Sequence, residues 1–388
     1  IVSPFLGVLT VVLFGTSFTD LGRKVNPTVV TILALLIMLC IGPLVAIPRT
    51  AAATYEIGVK PLLPEFNNIL FSFIFFAVVL ALSISQSKIV DIIGNFLTPF
   101  LILSLGILVT VGLLNPTAAT VNTGVTAQES FVFAFHEGYQ TLDVLASVIF
   151  AGIIISAAID KGYTNARDRF KITIAAGLIS MAALLFIYGG LIYLGAHSGY
   201  GFSEKVSRTE LLLNISHQLM GKNGTLVISV AVAMACLTTA IALTSAMGSF
   251  LQELTKGKMG YKAGVILTCL VSGYFSVKSV DEIIEYAVVI LGFVYPITFA
   301  LILTVLFFGK IIFSRTPYVA AVATAGSVAL LSVLENFGVL VEPIQALKSW
   351  LPLSEHQLEW LLPSFAAFFI AAAFNSGRKS HREAKVVD

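Results

Sequence analysis

Long apolar segments recur along this chain of 388 residues. A helix that crosses a bilayer needs about 20 mostly apolar residues. Eleven segments approach or exceed that length: residues 1–18, 27–58, 67–85, 92–114, 138–159, 170–196, 225–251, 262–277, 283–308, 318–335 and 358–374. The short alternating segments typical of a membrane β-barrel do not occur. The sequence therefore predicts an all-α polytopic membrane protein with 11 transmembrane helices in this chain.

The composition agrees with a surface that faces lipid. Hydrophobic residues make up 57% of the chain and charged residues only 11%, whereas a soluble domain carries about 25% charged residues. The net charge of +2 gives no reason to expect a nucleic-acid partner. Cys40, Cys236 and Cys269 lie inside apolar runs and show neither a disulfide framework nor a zinc pattern, so we expect them to be packing residues.

The basic residues orient the predicted helices. If the C-terminal tail is cytoplasmic, 16 of the 23 Lys and Arg residues fall in cytoplasmic segments and six in external ones, while Arg49 lies within the second span. This distribution follows the positive-inside rule. The longest connections, 115–137 and 197–224, are predicted to be external loops. We therefore expect a multi-pass protein with a cytoplasmic C-terminus and an external Ile1.

The sequence contains no enzyme motif, and no catalytic residue is predicted. The functional interpretation therefore depends on polar residues that lie within the apolar spans. A carboxylate such as Asp143 is costly within a membrane and tends to persist where it binds or moves something. Tyr139, Gln140 and Thr141 precede it closely. The pattern is typical of a broken transporter helix, whose unwound backbone binds substrate and ion. The alternative is a span that starts after Asp143, which then serves as a helix N-cap.

A pair of hydroxyl groups forms the second candidate site. Thr238 and Thr239 are adjacent in the middle of an apolar span, and the carbonyl of Ala235 lies about one turn earlier. These oxygens are suited to part of the shell of a small hard cation such as sodium. The alternative is structural, because hydroxyls within membrane helices commonly bond back to carbonyls of their own helix.

The second span contains a third group of polar residues. Two prolines within 43–48 loosen the helix and expose carbonyl groups. Arg49 lies at membrane depth and needs an anion, which Glu56, seven residues further on, or Asp143 would supply. The alternative is that Arg49 or Tyr55 meets a substrate carboxylate. We expect Arg49, Tyr55 and Glu56 to have structural or gating roles.

Several motifs resemble one family of bacterial carriers. Gly-Pro-Leu-Val-Ala-Ile-Pro-Arg-Thr at 42–50 and Tyr-Glu-Ile-Gly at 55–58 are similar to the signature of branched-chain amino acid transport system II carriers, which are cation symporters for leucine, isoleucine and valine. The segments 138–143, 235–239 and 351–363 resemble the same family. The resemblance extends over essentially the whole chain.

The resemblance implies a leucine-transporter-type inverted-repeat fold of twelve helices. This chain would begin at the second helix, so that the first helix, which carries a glycine-rich break in family members, is expected to be missing. A single transmembrane carrier domain at 1–375 would comprise helices 2–5 of repeat one at 1–114, repeat two at 134–308 and two extra helices at 318–375. A cytoplasmic tail would follow at 376–388.

The resemblance also implies a secondary active transporter of the bacterial inner membrane, which imports branched-chain amino acids by symport with sodium. The expected substrate-binding residues are Tyr139, Gln140, Thr141, Leu142, Asp143, Ala240 and Leu243. The expected sodium ligands are Ala235, Thr238 and Thr239. The expected partners are an aliphatic amino acid, a cation and the lipid bilayer, with no cofactor besides the coupling ion.

Two alternatives remain open at this point. The first is another amino-acid carrier of the same superfamily, including a proton-coupled one. The second is a non-transporting membrane sensor or a channel.

Overall fold

The computed structural model describes residues 2–84, 98–120, 124–200 and 206–384. Residues 92–97 of the predicted fourth span, residues 385–388 of the predicted tail, and three basic residues used in the orientation argument (Lys88, Lys205 and Lys385) lie outside these ranges. Within them the chain is helical and contains no strand. The prediction of an all-α protein is therefore confirmed for the described part of the chain.

The α-helices of the described ranges are labelled in chain order. They are α1 (Val2–Phe14), α2 (Pro27–Leu39), α3 (Ala46–Ala53), α4 (Asn68–Ser83), α5 (Thr98–Leu114), α6 (Ala127–Glu137), α7 (Asp143–Asp160), α8 (Ala166–Ala196), α9 (Arg208–Leu254), α10 (Tyr261–Phe275), α11 (Val280–Phe308), α12 (Thr316–Asn336), α13 (Val341–Ser349) and α14 (Leu361–Ala384). Short 3-10 turns lie at Phe18–Arg23, Gly138–Thr141 and Ser354–His356, and π-helical turns lie at Cys40–Leu44 and Thr54–Val59.

Many of these helices are apolar enough for a membrane. Across the described ranges, six helical segments are also long enough to cross one: Pro27–Val59, Asp143–Asp160, Ala166–Ala196, Arg208–Leu254, Val280–Phe308 and Thr316–Asn336. Shorter apolar helices of 10–17 residues are Val2–Phe14, Asn68–Ser83, Ile102–Leu114, Tyr261–Phe275 and Leu361–Asn375. Every predicted span overlaps one of these helices, as expected for a polytopic membrane protein. The number of crossings stays a prediction, because the shorter helices fall below the length of about 20 residues that a crossing takes.

The chain divides into two compact units, of which the first comprises Ile1–Ile37, Ala127–Met181 and Val288–Asp388. In this unit α1 packs along α7, and α12 packs along α14. The approach of α1 to α7 depends on Gly7, because a Cβ added there would lie 2.6 Å from Ser147 Oγ. Small residues allow membrane helices to pack closely in this way.

The second unit comprises Met38–Thr126 and Ala182–Ala287. Its central element is α9, which packs against α3, α4, α5, α10 and the turn Thr54–Val59. At the contact with α10, a Cβ added to Gly264 would lie 3.1 Å from the Cα of Gly248. The path of α9 is interrupted at Gly221, whose φ of 61° and ψ of −146° are conformations that only glycine adopts readily.

Candidate substrate and ion sites

A break in the helical path separates α6 from α7 in the first unit. The 3-10 turn Gly138–Thr141 follows α6, and Leu142 takes a left-handed conformation with φ 61° and ψ 6° before α7 begins at Asp143. Leucine rarely adopts this conformation because its Cβ is crowded there. Since Leu142 is only 3% exposed, packing around this residue holds the break in place.

Asp143 lies half-buried at the first position of α7. Its backbone N–H approaches Thr141 Oγ1 at 3.5 Å, and the Thr141 hydroxyl donates to the Gly138 carbonyl at 2.8 Å. The start of a helix favours a negative charge because the peptide dipoles point their positive ends toward it. The N-cap of α7 is Leu142, whose side chain makes no capping hydrogen bond, so the alternative that Asp143 serves as the N-cap is wrong. Asp143 instead follows a helix break and begins a helix of membrane length.

Tyr139 belongs to an aromatic cluster of the same unit. Its ring stacks on Tyr295 with centroids 4.3 Å apart and lies 6.0 Å from Phe299. Phe135 and His136 at the end of α6 complete the cluster, each with its ring centre 5.4 Å from Tyr139. Tyr139 is buried, and its hydroxyl makes no hydrogen bond within the described part of the chain. Such an atom is uncommon in a protein interior, where polar groups normally have partners.

The predicted sodium ligands lie on α9, in the second unit. The hydroxyls of Thr238 and Thr239 both donate to the Ala235 carbonyl, at 2.6 and 2.9 Å. This is the back-bonding that the structural alternative predicts. It also brings together the three oxygen atoms that the ion hypothesis assigns to part of the sodium shell. Further along the helix, Ala240 and Leu243 are buried. The described residues include no group of three or more His, Cys, Asp or Glu residues able to hold a metal ion.

The second predicted span is broken where its prolines lie. Gly42 has a non-helical backbone, with φ −99° and ψ −124°, inside the π-helical turn that contains Pro43. Pro48 falls in the first turn of α3, where a backbone N–H needs no helical partner. The Tyr286 hydroxyl donates to the Leu44 carbonyl at 2.8 Å, so that a side chain satisfies one carbonyl of the break.

Glu56 joins the starts of two helices in the second unit. Its Oε2 accepts a hydrogen bond from Thr209 Oγ1 at 2.9 Å, and its Oε1 accepts one from the backbone N–H of Val280 at 3.0 Å. Val280 begins α11 and Thr209 lies in the first turn of α9, so the carboxylate meets two helix N-termini. The neighbouring Tyr55 donates through its hydroxyl to the Phe66 carbonyl at 2.7 Å. These contacts give Glu56 and Tyr55 structural partners.

Arg49 lies in α3 of the same unit. This helix packs against α9. The identity of the anion that neutralises Arg49 stays a prediction.

We expect Glu56→Ala to destabilise the protein, because it removes two hydrogen bonds to a carboxylate and leaves the Val280 N–H without its acceptor. Hydrogen bonds to charged groups contribute about 1.5–3 kcal/mol each. Thermal unfolding of the purified protein in detergent should therefore begin several degrees lower.

Glu253→Ala is the matched control, because Glu253 is an exposed carboxylate near the end of α9. Glu56→Gln should lie between the two variants, since an amide retains one acceptor oxygen but loses the charge. Equal unfolding temperatures for Glu56→Ala and Glu253→Ala would contradict the structural role of Glu56.

Known proteins match this chain over nearly its whole length. Residues 1–377 match the family described as "Branched-chain amino acid transport protein". The branched-chain amino acid permease BraB of Bacillus subtilis is 33% identical over 375 residues, which cover 95% of this chain and 84% of the permease. A putative branched-chain amino acid carrier protein of Staphylococcus aureus is 31% identical over 373 residues, which cover 92% of this chain and 83% of that protein.

These matches confirm the resemblance found in the sequence motifs and the prediction that the protein is not an enzyme, because the relatives are transport proteins. They extend over nearly the whole chain and over most of each relative. The chain therefore belongs to the branched-chain amino acid transport protein family.

Proposed function

We propose that this protein is a secondary active transporter that imports leucine, isoleucine and valine by symport with sodium. The observation that carries the proposal is the helix break at Gly138–Leu142, which places a carboxylate and non-helical backbone at the start of a helix of membrane length. Broken helices of this kind bind substrates and ions in secondary transporters.

The segment Tyr139–Asp143 suits the two charged groups of an amino acid. The first backbone N–H groups of a helix lack partners within it, so the start of α7 favours the substrate carboxylate. The Asp143 carboxylate and the carbonyls of the 3-10 turn favour the substrate ammonium. A zwitterion therefore finds complementary groups within a few residues of one another.

The buried Ala240 and Leu243 are the proposed lining for the aliphatic side chain. An apolar pocket discriminates weakly between substrates that differ by one methylene, by about 1–3 kcal/mol. A single carrier is therefore expected to accept leucine, isoleucine and valine together.

The proposed sodium ligands are the Ala235 carbonyl and the hydroxyls of Thr238 and Thr239. A hydroxyl that donates to a carbonyl in the absence of the ion is able to rotate and turn a lone pair toward a cation. Hard cations prefer such oxygen ligands. Sodium drives uptake if it and the amino acid both bind more tightly to the same conformation, because each then shifts the equilibrium toward that state.

The proposed architecture is a leucine-transporter-type inverted repeat in the bacterial inner membrane, with 11 membrane-spanning helices in this chain and a cytoplasmic C-terminus. The overlap of each predicted span with an apolar helix supports this proposal. The excess of basic residues in the segments assigned to the cytoplasm supports the orientation.

Uptake of radiolabelled leucine into proteoliposomes tests the proposed function. At constant pH, replacement of external sodium by choline should lower the initial rate at least fivefold, because the coupling ion is then absent. Leucine loaded inside the vesicles should accelerate entry of external label, since a carrier exchanges its substrate.

Three outcomes would contradict parts of the proposal. Undiminished uptake in choline would exclude sodium coupling, and uptake driven by an imposed pH gradient would favour a proton-coupled carrier. Leucine entry without counterflow would favour a channel.

A further inference from the structure

The chain immediately before α14 lies against the helix break of the first unit. His136, at the end of α6, donates through Nε2 to the His356 carbonyl at 3.0 Å. The Phe299 ring lies 6.0 Å from the Tyr139 ring and 6.2 Å from the Trp360 ring. This connecting segment is therefore placed next to the residues proposed to bind the amino acid.

Glu359 lies in this connecting segment, and its carboxylate is buried, since only 5% of the residue is exposed. Its Oε1 pairs with Lys348 Nζ at 3.0 Å and accepts a hydrogen bond from Ser332 Oγ at 3.2 Å. Lys348 also pairs with Glu335 Oε2 at 2.9 Å. A carboxylate is costly to bury without a partner, so Lys348 and Ser332 hold the Glu359 carboxylate in place.

Two polar atoms at this position have no hydrogen-bond partner among the described residues. They are Glu359 Oε2 and the Tyr139 hydroxyl oxygen, and both are buried. The two residues are linked through Phe299, whose ring contacts Tyr139 and Trp360, the residue that follows Glu359. A carboxylate oxygen only accepts hydrogen bonds, whereas a phenol both donates one and accepts others. The two atoms are not hydrogen-bonded to each other, but a carboxylate charge attracts the O–H of a phenol.

We propose that Glu359 is a positioning residue for amino acid binding, acting through the orientation of the Tyr139 hydroxyl. This inference rests on the proposed function, because it assigns Glu359 to the segment that would hold the substrate. If the negative charge of Glu359 turns the Tyr139 O–H toward the carboxylate, the lone pairs of the phenol oxygen are left to accept a hydrogen bond from the substrate ammonium.

Glu359→Gln tests the inference through the KM of leucine uptake into proteoliposomes. The KM should rise about fivefold, close to the effect of one hydrogen bond, while the maximal rate stays within twofold of the unsubstituted protein. Lys348 remains paired with Glu335 in this variant, so no lysine is left unpaired.

Glu335→Gln is the matched control, because it removes the other partner of Lys348 and leaves the Glu359 ion pair intact. Its KM should stay within twofold of the unsubstituted value. An equal rise in both variants would mean that the ion-pair network acts only on stability, and would overturn the inference.

A double substitution distinguishes action through Tyr139 from a general effect of Glu359. Tyr139→Phe removes the hydroxyl, so Glu359→Gln should change the KM by less than twofold when added to it. A second fivefold rise in that background would overturn the inference.

Two other outcomes need separate interpretation: misfolding of Glu359→Gln, and failure of the unsubstituted protein to take up leucine. If Glu359→Gln does not fold, Ser332→Ala removes only a hydroxyl that holds Glu359, and an unchanged KM in that variant would overturn the inference. If the unsubstituted protein does not take up leucine, the proposed function fails. Intact uptake with an unchanged KM in Glu359→Gln refutes the positioning role alone.

Discussion

Asp143→Asn is expected to abolish leucine uptake, reducing the initial rate to about one hundredth or less, a loss of roughly 2.7 kcal/mol of transition-state stabilisation. Asparagine has nearly the same size and retains an acceptor oxygen, but it carries no charge. In a site of low dielectric constant, the attraction between a carboxylate and an ammonium is much stronger than in water. The variant should remain folded, because Asp143 lies half-buried beside a break in the helices. Initial uptake rates, normalised to the amount of folded protein in the vesicles, measure the effect.

Asp160→Asn is the matched control for this prediction. Asp160 is the last residue of the same helix and is exposed, so the same chemical change is made at the opposite end. Uptake by this variant should stay within twofold of the unsubstituted protein. The assignment of Asp143 to the substrate site is wrong if Asp143→Asn retains more than half of the uptake, or if Asp160→Asn loses as much.

The apolar helices could be predicted from the sequence because a membrane helix requires only a sustained run of apolar residues. The first half of the broken helix could not be predicted in that way. Residues 127–137 contain polar and charged side chains and were assigned to an external loop, without a prediction of helix. They form α6, in which no residue is buried, and their location outside the membrane stays a prediction. The predicted span began at residue 138. The apolar pattern therefore included the break and α7 but gave no indication of the helix that precedes the break.

Partners in the tertiary structure were also beyond the reach of a sequence pattern. The requirement of Arg49 for an anion suggested Glu56 or Asp143, and this pairing stays a prediction. No sequence pattern indicated that the Glu56 oxygens accept from Thr209, 153 residues away, and from Val280, 224 residues away. Glu359 lies in the motif 351–363, which contributed to the family resemblance without indicating a role. Its burial and its pairing with Lys348 are visible only in the fold.

Thr238→Val is expected to raise the sodium concentration that gives half-maximal leucine uptake by about twentyfold, or roughly 1.8 kcal/mol at 1.36 kcal/mol per tenfold change. Valine has nearly the shape of threonine but lacks the hydroxyl, so the substitution removes one proposed oxygen ligand with little change in packing. The Ala235 carbonyl still accepts from Thr239, so the helix does not lose all of its back-bonding at this point. Uptake at saturating leucine, measured over a range of sodium concentrations, gives the shift.

The back-bonding geometry of Thr238 makes a second threonine essential to this test. Thr268 of α10 is buried, and its hydroxyl donates to the Gly264 carbonyl at 2.8 Å, four residues earlier. Thr268→Val removes the same kind of hydrogen bond from a helix with no proposed ion ligand, and should leave the sodium dependence unchanged. If both variants shift it equally, the hydroxyls act through helix structure. If Thr238→Val shifts nothing, the oxygen atoms around Ala235 do not bind the coupling ion, because loss of a ligand must weaken the affinity for that ion.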